Sequence, residues 1–262
     1  MIPKIIHYCW FGGNTLSEDA QRYIDSWKLY CPDYQIKEWN ESNFNLNTYP
    51  YAKEAYDNKK YAFVTDIVRL YACYTEGGLY MDTDIEVIKK LDTFLKHKAV
   101  MGFESSSQIS SGLMASQKGF SLFKELLDDY NGLRFVQPDG SFDLTTNCIR
   151  IKKTLLKHGF VPNGSFQMVE GLALYPYDYF CANNFEDGKV NVTDNTYTIH
   201  HFAGSWLPEE ERIIMEFFRK MQQKFPRFIA MPITVVYGFF VRLKKTGIKK
   251  TLLHYKHQIT GK

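Results

Sequence analysis

Cysteine is scarce and shows no pairing pattern. Cys9, Cys31, Cys73, Cys148 and Cys181 are odd in number and contain no CxxC spacing. Neither a zinc knuckle nor a disulfide framework is indicated, and a reducing cytosol fits best. Long apolar runs are missing too. Residues 228–241 carry no charge, but Pro232 and Gly238 interrupt them, and the stretch is short of the roughly 20 residues that cross a bilayer. The opening Ile2-Pro3-Lys4-Ile5-Ile6 lacks a basic region, a long apolar run and a small-residue cleavage site. No signal peptide is expected, and the expected location is cytoplasmic. Repeats and low-complexity segments are absent, and no linker interrupts residues 1–216. Acidic residues stop at Glu216, beyond which eleven Lys and Arg follow, from Arg219 to Lys262. The body before that point holds 21 basic and 29 acidic residues. Such a split points to an anionic partner for the tail. No nucleic-acid reader motif accompanies the charge, so an anionic membrane surface is the expected partner and nucleic acid is not. The expected division is a body over 1–216 and a basic, partly apolar helical tail over 217–262.

What is present reads as a soluble α/β protein. Of 262 residues, 45% are hydrophobic and 23% charged, enough for one substantial core. Lys4 to Trp10 predicts a buried strand broken at Gly12-Gly13. Ser17 is placed to cap a helix with Glu18 and Asp19 in its first turn. Ala20, Tyr23, Ile24 and Trp27 follow at helical spacing, and Cys31-Pro32-Asp33 ends the run. Tyr34 to Trp39 predicts a second strand. Phe63, Ile67, Leu70, Tyr71 and Tyr74 stripe a helix over Tyr61 to Glu76, which Gly77-Gly78 ends. Leu79 to Met81, Val100 to Phe103 and Gly112 to Ala115 are expected strands, and Phe120 to Tyr130 an expected helix. Alternation of this kind predicts helices around a mainly parallel central sheet.

The chemistry concentrates at Asp82-Thr83-Asp84. Residues at i and i+2 of an extended chain point to one side, so the two carboxylates are presented together. Left alone they would repel and raise each other's pKa. A hard divalent cation, Mg²⁺ or Mn²⁺, removes that conflict and leaves positions open for phosphate oxygens. The apolar strand before the pair sets it at a carboxyl end, where open α/β sheets bind ligands. Upstream, Asp66 and Arg69 lie at i, i+3 on one helix face. A solvated turn and a surface ion pair are the plain alternatives.

The stretch Thr65-Asp66-Ile67-Val68-Arg69-Leu70-Tyr71, followed by Gly77-Gly78-Leu79-Tyr80-Met81-Asp82-Thr83-Asp84, resembles the signature of glycosyltransferase family thirty-two. Residues 2–13 and His200-His201-Phe202-Ala203-Gly204-Ser205-Trp206 are similar to the family's opening and closing motifs. The resemblance implies a GT-A-type nucleotide-sugar transferase fold and a retaining, metal-dependent hexosyltransferase. A UDP-sugar donor and a saccharide acceptor, lipid-linked in capsular or surface polysaccharide synthesis, are further implications. By the same resemblance Asp84 binds the metal and Asp82 does so directly or through water. His201 is the expected third ligand, ahead of His200, and the mixed donor set leans to Mn²⁺. Asp66 would orient sugar hydroxyls, and Arg69 would approach the donor sugar or its phosphate. Trp10 and Phe11 would lie at the nucleotide, Ser110, Ser111 and Gly112 beside the donor sugar, and Ser205 and Trp206 at the phosphates. Thr145-Thr146-Asn147 stands where the family often has T-G-P, with neither Gly nor Pro. Two alternatives remain: a haloacid-dehalogenase-like phosphatase, in which an Asp of a D-x-D pair is the nucleophile, and a non-catalytic sugar-nucleotide or metal-binding module. Glu86 stands where that phosphatase motif usually has Thr or Val.

Overall fold

The computed structural model describes residues 1–183, 189–204 and 207–260, with side chains through Tyr255. The described chain divides into two units, residues 1–183 with 190–201, and a second formed mainly by residues 202–260.

The first unit runs β1 (Ile5–Cys9), α1 (Glu18–Tyr30), β2 (Gln35–Trp39), α2 (Pro50–Asp57), α3 (Tyr61–Thr75), β3 (Gly78–Met81), β4 (Ile85–Val87) and β5 (Ala99–Phe103). It continues with β6 (Ile109–Ser116), α4 (Ser121–Asp128), α5 (Asn147–Lys157), β7 (Gln167–Val169), β8 (Leu172–Tyr175), α6 (Tyr177–Phe180) and β9 (Thr198–His200). Ser17 caps α1 as expected, its Oγ accepting from the Ala20 amide at 3.2 Å. Ala20, Tyr23, Ile24 and Trp27 are the residues α1 buries.

Seven strands form one sheet in the order β2-β1-β3-β6-β5-β8-β7, and β4 pairs with β9 as a separate ribbon. Parallel pairing joins β1 to β2 and β3, and β5 to β8, while β6 and β7 run the other way. The mainly parallel sheet with flanking helices is the expected architecture. Both faces are covered, which is why β3 is buried at every position. Leu79 and Met81 join the cluster that includes Trp27 of α1. Tyr80 turns the other way, into the cluster holding Ile67 and Leu70 of α3. The same alternation carries Asp82 towards α3.

The α3–β3 turn needs glycine. Gly78 has φ 106°, and a Cβ there would lie 2.6 Å from the Ile5 carbonyl oxygen. Only an unsubstituted residue lets the turn feed β3 directly alongside β1.

The second unit holds α7 (Glu209–Lys224), α8 (Arg227–Thr246) and α9 (Ile248–Thr260). The boundary expected at residue 216 falls inside α7. Glu209, Glu210 and Glu211 occupy its first turn, where the helix dipole favours them. Among the described residues, no helix is long and apolar enough to cross a membrane.

Candidate active site

Five pieces of the chain meet at the carboxyl edge of β3. Asp82 follows that strand, and its amide donates to the Gly112 carbonyl of β6 at 2.8 Å. Asp84 closes the turn into β4. His200 ends β9, directly opposite Ile85 in the ribbon. Asp66 and Arg69 come from α3, and α5 contributes Asn147 and Cys148.

Arg69 is the hub, and it is 5% exposed. Its Nη1 donates to the Ser111 carbonyl at 2.6 Å, to Ser111 Oγ at 3.1 Å and to Asp82 Oδ2 at 3.4 Å. Its Nη2 lies 3.3 Å from Asp66 Oδ1 and 3.4 Å from Asp82 Oδ1. The guanidinium stacks 4.8 Å over the Tyr80 ring. Arg69 is expected to approach the donor sugar or its phosphate; in the structure its Nη1 donates to protein acceptors, as a planar fork suits.

Tyr80 donates to Asp82 Oδ1 at 2.6 Å. Burial raises the Asp82 pKa, with Asp84 adding to the rise and Arg69 and the Tyr80 hydrogen bond opposing it. Burial also pushes the Asp66 carboxyl up to about 6, against the pull of Arg69. Asp66 is further held by Asn147, whose amide donates to Asp66 Oδ2 at 3.1 Å and whose Nδ2 donates to the Asp66 carbonyl at 3.0 Å.

The histidine beside the aspartates is His200. Its Nε2 lies 3.2 Å from Asp84 Oδ1, and ligand atoms of Asp82, Asp84 and His200 all fall within 4.8 Å of one another. His201, the expected third ligand, is held elsewhere. Its Nε2 pairs with Glu86 Oε2 at 2.9 Å and its ring stacks on Tyr23 at 4.4 Å. Adjacent residues of an extended strand face opposite sides, so the register Ile85↔His200 turns one histidine towards Asp84 and the next away. Burial lowers the proton affinity of His200, but Asp84 more than offsets it, and the imidazole sits well above its ordinary pKa. Two carboxylates and an imidazole at this spacing are a donor set suited to a divalent transition ion.

Gly112 makes room for the cluster. A Cβ there would lie 2.9 Å from His200 Cε1 and 3.1 Å from Asp82 Oδ2. Gly112→Ala should therefore displace His200 and weaken divalent-cation affinity about ten-fold, judged by the usual cost of disturbing a ligand's support. Calorimetric titration checks this, and unchanged affinity would mean His200 lies outside the ligand set.

Ser111 Oγ also contacts Cys148 Sγ at 3.3 Å, while the Ser110 hydroxyl accepts from the Gly112 amide at 3.2 Å. Trp10 and Phe11 lie just past β1, whose pairing with β3 brings its end level with Asp82. The Trp10 indole donates to the Asn14 carbonyl at 2.6 Å, and Phe11 is buried. Ser205 and Trp206 fall outside the described residues. Asn147 and Tyr80 are additions to the expected set. Tyr80 was legible from strand alternation, whereas nothing in the sequence ties Asn147 to Asp66. Glu104, just past β5, is a further carboxyl raised by burial, with the charge of His200 opposing.

Residues 17–101 match the family described as glycosyltransferase sugar-binding region containing DXD motif. That span covers Asp66, Arg69, Asp82 and Asp84. Residues 17–101 are thus similar to a DXD glycosyltransferase region. An inositol phosphoceramide mannosyltransferase of Schizosaccharomyces pombe is 31% identical over 125 residues, 45% of this chain and 34% of that one. A mannosyl phosphorylinositol ceramide synthase of Saccharomyces cerevisiae is 27% identical over 135 residues, 48% of this chain and 34% of that one. The chain thus spans about a third of the length of these two relatives. Among solved structures, PaToxG glycosyltransferase aligns with a TM-score of 0.45 and 21% identity, over 60% of this chain and 69% of that one.

Proposed function

We propose that this chain is a retaining, metal-dependent hexosyltransferase that moves a sugar from a nucleotide diphosphate to a saccharide acceptor. The preferred donor is a UDP-sugar, with Mn²⁺ or Mg²⁺ as the ion. The acceptor is lipid-linked, in capsular or other surface polysaccharide synthesis. The basic residues after Glu216 would draw the enzyme to an anionic membrane, on its cytoplasmic face, where such an acceptor lies. The observation that carries the reading is the Asp82, Asp84 and His200 cluster, whose two aspartates lie in the matched DXD region.

Breaking the anomeric C–O bond leaves a nucleoside diphosphate with new negative charge. Asp82, Asp84 and His200 would hold the cation. When bound, that ion supplies Lewis-acid stabilisation of the leaving group. Tyr80 and Arg69 fix the carboxylate of Asp82 in one orientation, so little reorganisation is needed as charge develops. Asp66, itself fixed by Asn147 and Arg69, would accept hydrogen bonds from donor hydroxyls. Retention is assigned to same-face substitution, in which the departing phosphate takes the proton of the incoming hydroxyl. The phosphatase alternative is not favoured, because residues 17–101, which hold Asp82 and Asp84, match a DXD glycosyltransferase region.

A thermal-shift screen across UDP- and GDP-sugars, with and without Mn²⁺, tests the reading. The GDP-mannose arm answers to the two relatives named for mannosyl transfer. At a hundred times Kd the correct donor should add about 2.7 kcal/mol by mass action, and only with metal present. If no nucleotide-sugar gives a metal-dependent shift, or if the shift survives Asp84→Asn, the proposal fails.

A further inference from the structure

We propose that α8 lies flat in the interface of an anionic membrane, with its outer face inserted among acyl chains. This rests on the membrane part of the reading above, which required only electrostatic attraction.

Within its own unit α8 buries a narrow stripe. Ala230, Thr234 and Gly238 recur every four residues and are its buried positions. Gly238 faces α7, where an added Cβ would meet Ile214 Cδ1 at 3.2 Å, and Tyr237 stacks on Phe217 with centroids 3.9 Å apart. The opposite side is equally apolar but exposed. Phe228 is 77% exposed, Val235 49%, Val236 58% and Phe240 62%. An open apolar groove of about 510 Å³ runs between this side and α7, lined by Phe217, Pro232, Ile233, Val236, Tyr237 and Phe240. A helix that is apolar all round belongs in a low-dielectric setting on both faces, and contiguous exposed apolar surface marks an interaction site.

Charge identifies what covers it. Every acidic or basic residue after Glu216 is basic. Arg242 is paired with Glu211 at 2.8 Å and Lys245 with Glu209 at 2.8 Å. Lys244, Lys249 and Lys250 are exposed, and α9 exposes Ile248, Leu252 and Leu253 beside them. A second copy docking on this face would bring like charges together, whereas an anionic surface neutralises them. The uncharged stretch 228–241 rises only about 21 Å as a helix, too little for the ~30 Å hydrocarbon core but suited to lying in its boundary.

Flotation of the full chain with phosphatidylcholine vesicles, with and without phosphatidylglycerol, at low and high salt, tests this. The wild type should float with anionic vesicles and keep a measurable share of binding at high salt, because insertion is not screened. The double variant Val236→Glu, Phe240→Glu should lose about ten-fold or more at both salts. Both positions are exposed, so its melting temperature should match the wild type and confirm folding. Binding that vanishes at high salt and is untouched by the double variant overturns insertion while leaving electrostatic attraction standing. No flotation with either vesicle overturns both. A lipid-free dimer that the double variant dissociates overturns the assignment in favour of a second copy.

Discussion

Asp84→Asn is expected to lower turnover about 10²- to 10³-fold, the scale of removing one stabiliser of developing charge. His200→Ala should approach that loss and should also raise the Mn²⁺ concentration needed for half-maximal rate. His201→Ala should stay within a few-fold of the wild type, because its partners are Glu86 and Tyr23 rather than the aspartates. Steady-state rates across a Mn²⁺ titration separate the three. The reverse ranking of the two histidines would mean that the ribbon register read from Ile85↔His200 does not govern the site. The side chain of Asp84 is 19% exposed and that of His200 10%, so both substitutions should also lower the melting temperature, and rates are compared below it.

Arg69→Met carries the largest expected cost in stability, about 3–5 kcal/mol. The cause is what it leaves behind. Asp66 and Asp82 would remain buried with a like charge nearby and no cation between them, and the Ser111 carbonyl would lose its 2.6 Å donor. For a domain of this size that is a fall of about 10 °C or more in Tm. Arg69→Lys should recover only part of it, because a single ammonium cannot reach Ser111, Asp66 and Asp82 together. Calorimetry of the three proteins decides the matter. If Arg69→Met melts within a degree or two of the wild type, Arg69 is not the clamp described and a direct role at the donor returns.

The legible parts of the fold were the long or sharply bounded elements. Ser17 with its acidic first turn, the stripe of Trp27, and the Gly77-Gly78 stop each act through local geometry that a sequence displays. Strands β4, β7 and β9 span three residues each, too few for alternation to register, and their pairing comes from tertiary contacts. That gap cost the histidine assignment. Two adjacent histidines look equivalent until a partner strand fixes which one turns inward. Arg69 was found for its position and for its pairing with Asp66, but i, i+3 spacing says nothing of Ser111 or Asp82. Asn147 had no local signal, because its bonds to Asp66 join positions 81 residues apart.

The β4–β9 ribbon has a consequence for assembly of the molecule. His200 reaches Asp84 only because three residues of β9 lie along three of β4, outside the main sheet. An ion gripped by both strands at one end of that ribbon would behave as a removable cross-link, closing a loop of roughly a hundred residues and shrinking the unfolded ensemble as a covalent tie would. Chelation would then first loosen β9, leaving β1, β3 and α3 intact.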